Sequence, residues 1–532
     1  MRSFFVSRSS SSSFTSSVRR NTKVTLHLSS SFIVNYRTMS LSVISEAQIF
    51  VNNFNESYAK KHEAFENQFW GTKMALKEGE YSTELLSKTK KEMEDLLSDP
   101  KVLKDAKEYK DKIAAEGLLE DNVDLVKVLD IIIKTGGCNE FPTPESKQVR
   151  EKTNEIEDSL SKKRNEMSLG YNDANGDFQA ASSVGLRTIM RTSPDEAVRK
   201  SAYEGLRSIG KFVCEEGFME IVKLRNKLAK MLGYTDYYDY TVTNAEGFGK
   251  DRLFQILDGL EEGTRPLVVK AREDLEKLHG KEALDPWNTG YLMAGSVIKK
   301  MDPYFPFSKA VENYIRSYAA MKISYCNATM TLDLLDRKNK YSNGFCHWPQ
   351  CAWINSEGEF VPSKTNFTSL ADPTAVGSGL TALNTLMHEA GHAAHFANIK
   401  QPSPLFSQER APTSVAYAEN QSMFLDSLVG DAAWRAKYAR DLEGKPIPFE
   451  IHEEKIRSTF PFEVFQLRAM IAVSYFEKAL YELSDEEITS EKVQALADEI
   501  EHKIQGGLSP RPLLSIPHLI SDEASCYYQG YT

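Results

Sequence analysis

Residues 380–398, with the sequence LTALNTLMHEAGHAAHFAN, constrain this chain more than any other stretch. They contain the pattern His-Glu-x-x-His, formed by His388, Glu389 and His392. On an α-helix, residues i and i+4 lie on one face, so both imidazoles can reach a single metal ion. Glu389 is rotated about 100° from His388, beside the ligands, where it can act as a general base. The pattern favours a helix that binds one zinc ion. The alternative is a helix whose histidines only cap its end or face solvent.

A catalytic zinc ion needs a third protein ligand and one open position. His395 shares a face with His388 but lies about 10 Å further along the helix axis. Both side chains therefore cannot bind one ion at bond lengths of about 2 Å. We expect His395 to lie behind the ligands, as a supporting or packing residue.

The next predicted helix offers a better third ligand. Glu419, Ser422, Met423 and Asp426 fall on one of its faces. Two carboxylates on a small, apolar face are costly to bury without a cation or other partners. Zinc on Glu419, with Asp426 orienting a ligand imidazole, would offset that cost. The alternative is an ordinary acidic helix face.

The rest of the chain reads as a mainly α protein with one small β-sheet. Helix-capping patterns open helices after Ser82 and Asp195, and successive helices are predicted up to about residue 249. A chain of 532 residues is long enough for more than one lobe. We expect an N-terminal helical region at residues 46–245 and a catalytic region at residues 246–532. Six scattered cysteines without a CxxC pair predict reduced thiols rather than a disulfide framework.

Residues 341–370 differ from the helical remainder, because aromatic and β-branched residues alternate there with Gly, Pro and Asn. This composition predicts a small meander of short strands just before the metal helix. An exposed strand edge there could bind a peptide backbone by β-augmentation, or the strands could form a purely structural hairpin. The sequence alone does not decide between these two interpretations.

Residues 1–45 contain six basic residues, long serine runs and no acidic residue. This composition is typical of an organellar transit peptide, and the arginines interleaved with apolar residues favour a mitochondrion over a plastid. The alternatives are a disordered basic tail, or translation from Met39 and a cytosolic protein. Without this segment the net charge of −10 becomes −16. So acidic a body disfavours nucleic acids as partners and suits basic peptides. No apolar run approaches the roughly 18 residues that span a bilayer.

The motif and its surroundings resemble the thimet oligopeptidase and oligoendopeptidase F family of zinc peptidases. The matching residues are His388-Glu389-x-Gly391-His392-x-x-His395 and Glu419-x-x-Ser422-x-x-x-Asp426, with Leu332-Asp333-Leu334, Asn366-Phe367-Thr368 and Arg225-x-x-Leu228-Ala229-x-x-Leu232-Gly233-Tyr234 upstream. The resemblance runs from about residue 196 to the end of the chain. It implies two largely helical lobes around a deep channel that excludes folded proteins, with zinc held by His388, His392 and Glu419.

The resemblance also implies hydrogen-bond donors to the developing oxyanion near the C-terminus. By this likeness His518 and Tyr527 take that role, and Tyr531 binds substrate. Asp522-Glu523 stands where family members usually have a further tyrosine, and Met423 stands where the thimet-like branch has glutamine. Similar proteins continue through further helices beyond the position of Thr532, so a truncated sequence or an incomplete final bundle is expected.

These features predict a monomeric zinc metalloendopeptidase that hydrolyses short peptides, with targeting peptides in an organelle as attractive substrates. Two alternatives remain. One is an exopeptidase such as a peptidyl-dipeptidase with the same site. The other is a non-catalytic peptide-binding protein that kept the fold.

Overall fold

A computed structural model describes residues 30–77, 79–341, 343–407, 409–521 and 525–532. Most of the predicted targeting segment, up to residue 29, lies outside the described residues, as do Asp522 and Glu523. The described chain is mainly helical, as predicted. The helices are α1 (Ser30–Lys73), α2 (Thr83–Leu97), α3 (Pro100–Ala115), α4 (Val123–Cys138), α5 (Pro144–Glu166), α6 (Ser183–Thr192), α7 (Glu196–Val213), α8 (Met219–Met231), α9 (Tyr237–Glu246), α10 (Lys250–His279), α11 (Pro286–Met301), α12 (Ala310–Ala320), α13 (Ser378–Asn398), α14 (Val415–Asp426), α15 (Ala432–Tyr438), α16 (Phe449–Thr459), α17 (Glu463–Tyr481) and α18 (Ser490–Gln505). The strands are β1 (Gly170–Asn172), β2 (Phe178–Ala180), β3 (Thr329–Leu335), β4 (Phe345–Gln350), β5 (Trp353–Ile354), β6 (Phe360–Val361) and β7 (Lys364–Ala371).

Local capping explains where several helices begin. The side chain of Ser82 accepts a hydrogen bond from the backbone N–H of Leu85, and α2 follows it. Asp195 accepts from the N–H groups of Ala197 and Val198 at the start of α7. These bonds satisfy amide donors that the first turn of a helix leaves unpaired. Both predicted helix starts are confirmed.

Two large hydrophobic clusters form the cores of the molecule. The first joins residues of α6–α10 with α17, α18 and the segment 513–528. The second joins α1–α4 with α11–α15, β4 and β7. Each cluster therefore draws on both sides of the boundary at residues 245 and 246, and the two-region division stays a prediction.

A cavity of about 520 Å³ lies where the two cores face each other. Its lining comes from β4, α13 and α14 on one side and from α17 and residues 505–531 on the other. This arrangement agrees with the predicted fold of two helical lobes around a channel. No helix in the described part of the chain combines the length and the apolar character needed to cross a membrane.

The sheet beside α13 has the strand order β3-β7-β4. β7 pairs with β4 in the antiparallel and with β3 in the parallel sense. A small sheet next to the metal helix is confirmed. Its topology is not a simple meander, because β3 is a parallel partner. β3 begins at Thr329, before residues 341–370, whose composition predicted the strands. Strand β4 pairs with β7 alone among the described strands, and its residues 345–348 line the cavity.

Candidate metal centre

The site is built on two helices that approach each other closely. His388, Glu389 and His392 lie in the middle of α13, and Glu419 lies in the second turn of α14. Gly391 faces α14, where an added Cβ atom would lie only 2.9 Å from the Cα atom of Ser422. Since real Cβ atoms do not approach backbone so closely, glycine here lets the two helices bring their polar side chains together.

Three potential ligand atoms converge at this crossing. Oε2 of Glu419 lies 3.3 Å from Nε2 of His388 and 3.6 Å from Nε2 of His392. One ligand atom from each of the three residues lies within 4.8 Å of the other two. Ligands at about 2.0–2.1 Å from one tetrahedral zinc ion are about 3.3 Å apart, so this donor set fits zinc. The structure thus brings the three predicted ligands together.

The second nitrogen of each imidazole is fixed by a carboxylate. Nδ1 of His388 lies 2.9 Å from Oδ2 of Asp426, as predicted for that residue. Nδ1 of His392 lies 3.0 Å from Oε1 of Glu409. Such carboxylate partners select the tautomer that leaves Nε2 free for a metal. Glu409 was missed at the sequence level, because it lies in an irregular loop where no periodicity relates it to α13.

His395 lies on the far side of the same carboxylate. Its Nδ1 is 3.9 Å from Oε1 of Glu409, and its ring packs edge-on against Tyr417 with centroids 5.6 Å apart. It is not part of the convergent set of three ligand atoms. Its role as a supporting or packing residue stays a prediction.

Glu389 faces the same cavity as the three candidate ligands. Its side chain lines the cavity, although the residue is only 5% exposed. Burial raises the pKa of the Glu389 carboxyl to about 7, and the nearby Glu419 carboxylate acts in the same direction. A carboxyl group with a pKa near neutrality is suited to accept a proton and to return it.

The C-terminal residues singled out from the sequence reach the same cavity. His518, Tyr527 and Tyr531 all line it. The Tyr527 hydroxyl donates to Oε1 of Glu419 over 2.5 Å, and the rings of Tyr527 and Tyr531 lie 5.6 Å apart. Nδ1 of His518 lies 3.2 Å from the Tyr528 hydroxyl. Their assignment as oxyanion donors and substrate contact remains a prediction.

A buried arginine in α8 binds the backbone that directly follows His518. Arg225 is 1% exposed and donates to the backbone carbonyls of Leu519 and Ile520 over 2.9 and 2.7 Å. It also pairs with the buried carboxylate of Glu157 at 2.8 Å. Burial, followed by the charge of Arg511, lowers the pKa of His518 to about 4. The imidazole is therefore neutral at physiological pH.

A second buried polar network lies behind the site. The Glu66 carboxylate, fully buried on α1, binds His347 of β4 and accepts from Arg410 over 2.5 Å. Arg410 follows Glu409 in sequence, so this network ties α1 to the loop that supports His392. Sequence reasoning did not find it, because Glu66 and His347 are 281 positions apart and neither belongs to a local motif.

A family model described as "Peptidase family M3" matches residues 189–531, well over half of the chain. The chain belongs to peptidase family M3. A model described as "Angiotensin-converting enzyme" matches residues 42–286. As an M3 peptidase the protein is a hydrolase, and the family implies zinc at the centre described above.

Two curated relatives are called mitochondrial intermediate peptidase. The protein from Chaetomium globosum is 31% identical over 364 residues, which cover 55% of this chain and 46% of that protein. The protein from Eremothecium gossypii is 30% identical over 111 residues, which cover 20% of this chain and 14% of that protein. The chain thus matches less than half the length of either relative.

Solved structures share the fold at low sequence identity. "PZ peptidase A" with an inhibitor superposes with a TM-score of 0.53 at 17% identity, covering 90% of this chain and 85% of that one. A putative oligoendopeptidase F gives 0.54 at 15%, with the same coverage. An M32 carboxypeptidase from Deinococcus radiodurans gives 0.54 at 12%, covering 92% and 84%. The fold shared with these peptidases therefore extends over almost the whole chain.

Proposed function

We propose that this protein is a zinc-dependent oligopeptidase that hydrolyses short, unfolded peptides inside its cavity. The observation that carries the proposal is the convergence of His388, His392 and Glu419 at mutual distances that suit one zinc ion. The carboxylates of Asp426 and Glu409 hold the two imidazoles in the orientation that such an ion requires. An intact set of this kind argues against a purely peptide-binding role.

The chain's own residues suit amide hydrolysis. His388, His392 and Glu419 would hold zinc, which when bound supplies a Lewis acid for the scissile carbonyl and lowers the pKa of water. Glu389 takes a proton from the attacking water and later delivers it to the leaving amine. His518 and Tyr527 donate hydrogen bonds to the oxyanion, each typically worth a few kcal/mol when it faces the developing charge. Tyr531 lies next to Tyr527 and contacts the substrate.

The unpaired side of β4 is suited to align the peptide. A substrate peptide added along this strand edge would form main-chain hydrogen bonds, which do not depend on the side chains of the peptide. A cavity of about 520 Å³ has room for a few residues of extended chain and none for a folded protein. Peptide binding along β4 by β-augmentation is therefore part of the proposal.

Mitochondrial targeting peptides remain the proposed biological substrates. The support is the acidic body of net charge −16, the basic N-terminal segment and the name of the two curated relatives. We propose a mitochondrial location and a monomer. Equal turnover of acidic and basic peptides would remove the electrostatic basis for this substrate class.

Metal analysis and peptide cleavage test the proposed function together. The purified protein should contain one zinc per chain and cleave a quenched peptide, and chelation should abolish cleavage until zinc is restored. Glu389→Gln should keep zinc but lose about 10²- to 10⁴-fold in kcat, the usual contribution of a general base. Glu443→Gln, at an exposed position remote from the site, is the matched control. Metal-free protein, or activity that survives both chelation and Glu389→Gln, would contradict the proposal.

A further inference from the structure

The backbone directly before Tyr527 is held by a buried carboxyl group on α17. The N–H of Cys526 donates a hydrogen bond to Oε1 of Glu477 over 2.7 Å. Only 2% of Glu477 and none of Cys526 is exposed to solvent. The proposed mechanism uses Tyr527 but assigns no role to Glu477 or to this contact.

Cys526 has an unfavourable backbone conformation at this point. Its φ angle is 55°, in the left-handed region that residues with a Cβ atom rarely adopt. Such a conformation persists where the surrounding structure restrains it, and the hydrogen bond to Glu477 is one such restraint. In this conformation the next residue, Tyr527, reaches α14, where its hydroxyl donates to Oε1 of Glu419 over 2.5 Å. The direction of the Tyr527 side chain is therefore set at a turn that Glu477 restrains.

The contact lies where water cannot easily replace a lost acceptor. Cys526 belongs to the first hydrophobic core together with Tyr238 and Phe476, and all three residues are fully buried. An N–H group that loses its acceptor in such a place costs the full desolvation of that donor. The chain around Cys526 would have to move to satisfy its N–H in another way, and the Tyr527 hydroxyl would move with it.

A different element holds the chain beside the other proposed oxyanion donor. Arg225 of α8 binds the two backbone carbonyls that follow His518, whereas Glu477 of α17 binds the N–H that precedes Tyr527. The two proposed donors thus have separate anchors. A loss at Glu477 should displace Tyr527 while Arg225 keeps His518 in place.

We propose that Glu477 is a positioning residue for Tyr527, which it holds in the wall of the catalytic cavity through the N–H of Cys526. This inference rests on the proposed peptidase function and adds a residue to the same site. The property that the contact requires is an acceptor oxygen rather than a negative charge. Burial raises the pKa of Glu477 to about 8, so its carboxyl group is mostly neutral at pH 7. An amide of the same shape should therefore replace it, and an apolar side chain should not.

Two substitutions of Glu477 separate its acceptor oxygen from its volume. Glu477→Met fills the same space without an acceptor, and kcat on a quenched peptide should fall about 10- to 100-fold, somewhat less than for complete loss of an oxyanion donor. KM should change little, since the displaced hydroxyl acts in the transition state. Glu477→Gln keeps the acceptor and should retain most of kcat. Glu486→Met, at an exposed position, is the control. Equal zinc content in all variants excludes loss of the metal as the cause.

Combining Glu477→Met with Tyr527→Phe tests whether the effect passes through the Tyr527 hydroxyl. Tyr527→Phe removes that hydroxyl, so adding Glu477→Met should lower kcat little further. A merely structural effect of Glu477→Met would instead lower kcat by the same factor with and without the Tyr527 hydroxyl, and this result would overturn the inference. So would an equal loss of kcat in Glu477→Gln and Glu477→Met.

Hydrogen exchange tests the anchor without catalysis. In mass spectrometry of the zinc-loaded protein, amide exchange in residues 525–531 should be at least about tenfold faster in Glu477→Met than in the wild type or in Glu477→Gln. Unchanged exchange would overturn the inference even if zinc-dependent cleavage is observed. If Glu477→Met does not fold, Glu477→Asp, with a side chain shorter by one methylene, takes its place in each comparison. A wild type without cleavage, or a fully active Tyr527→Phe, would contradict the proposed function, and exchange alone would then decide whether Glu477 holds this segment.

Discussion

The carboxylate of Glu409 lies 3.0 Å from Nδ1 of His392, so a residue of an irregular loop orients one of the two candidate ligand imidazoles. Although burial opposes ionisation, the adjacent imidazole of His392 holds the pKa of Glu409 at about 2. The loop is in turn tied to α1 by the contact between Arg410 and Glu66. We therefore expect metal affinity to depend on a part of the chain far from the His-Glu-x-x-His motif.

Replacing Glu409 should weaken zinc binding without unfolding the protein. We expect Glu409→Ala to lower zinc affinity about 10- to 100-fold, the usual effect of losing a carboxylate behind a ligand histidine. Glu409→Gln keeps an acceptor oxygen and should lose less. Competition with a fluorescent chelator measures the affinity, and Glu443→Ala is the control. Unchanged affinity in Glu409→Ala would show that the loop plays no part in metal binding.

The close approach of α13 and α14 gives a second prediction. Gly391→Ala places a methyl group 2.9 Å from the Cα atom of Ser422, so α14 has to move and carries Glu419 away from the two histidines. Zinc affinity and activity should both fall at least tenfold, while the helical circular dichroism changes little. Gly259→Ala is the control, because a Cβ atom on that helical glycine meets no atom within 4 Å. Zinc affinity equal to that of Gly259→Ala would contradict the role assigned to Gly391.

The buried pair of Arg225 and Glu157 should matter for both stability and catalysis. Arg225→Met removes the guanidinium partner of Glu157 and the donors to the carbonyls of Leu519 and Ile520. Breaking a buried ion pair on one side typically costs about 3–5 kcal/mol. The urea midpoint should fall accordingly.

The double variant Arg225→Met/Glu157→Gln should recover part of this stability, since it leaves no buried charge without its partner. It should not recover kcat, because the backbone after His518 stays unanchored. Arg457→Met serves as the exposed control and should cost less than about 1 kcal/mol. Full recovery of kcat in the double variant would show that Arg225 does not position His518.

The buried carboxyl group of Glu477 should make the stability of the protein depend on pH. Burial raises the pKa of its carboxyl to about 8, although a hydrogen bond from the N–H of Cys526 opposes the shift. Its other oxygen is buried without a partner among the described residues, as a neutral carboxyl group allows. Below pH 4.5 both folded and unfolded states are protonated and this contribution to stability is complete. As pH rises towards 8, only the unfolded state ionises, and stability falls by about 1.4 kcal/mol per pH unit.

Urea unfolding at pH 5 and pH 8.5 measures this effect. Glu477→Gln cannot ionise, so its stability should fall less over this interval than that of the wild type. Glu486→Gln, at an exposed position on the following turn, should behave as the wild type does. If the free energy of unfolding changed equally with pH in the wild type and in Glu477→Gln, the raised pKa assigned to Glu477 would be refuted.

Periodicity was sufficient to select the candidate ligands that the structure brings together, and insufficient for the residues around them. His388, His392, Glu419 and Asp426 could be predicted because each pair shares a helix face, and family resemblance added His518, Tyr527 and Tyr531. The partners Glu409 and Glu66 could not be predicted, since loop residues and contacts across hundreds of positions leave no local pattern. The parallel pairing of β3 with β7 was missed for the same reason, as it joins strands separated by other elements.

The first hydrophobic core has a consequence for how the protein comes to be folded. It unites residues 160–257 with residues 471–528, so more than two hundred residues are synthesised between its two halves. During synthesis on the ribosome, the apolar surface of α6–α10 stays exposed until the segment that carries His518 and Tyr527 has emerged. We therefore expect the proposed site, including the cavity wall formed by residues 505–531, to be complete only after this late segment has been translated.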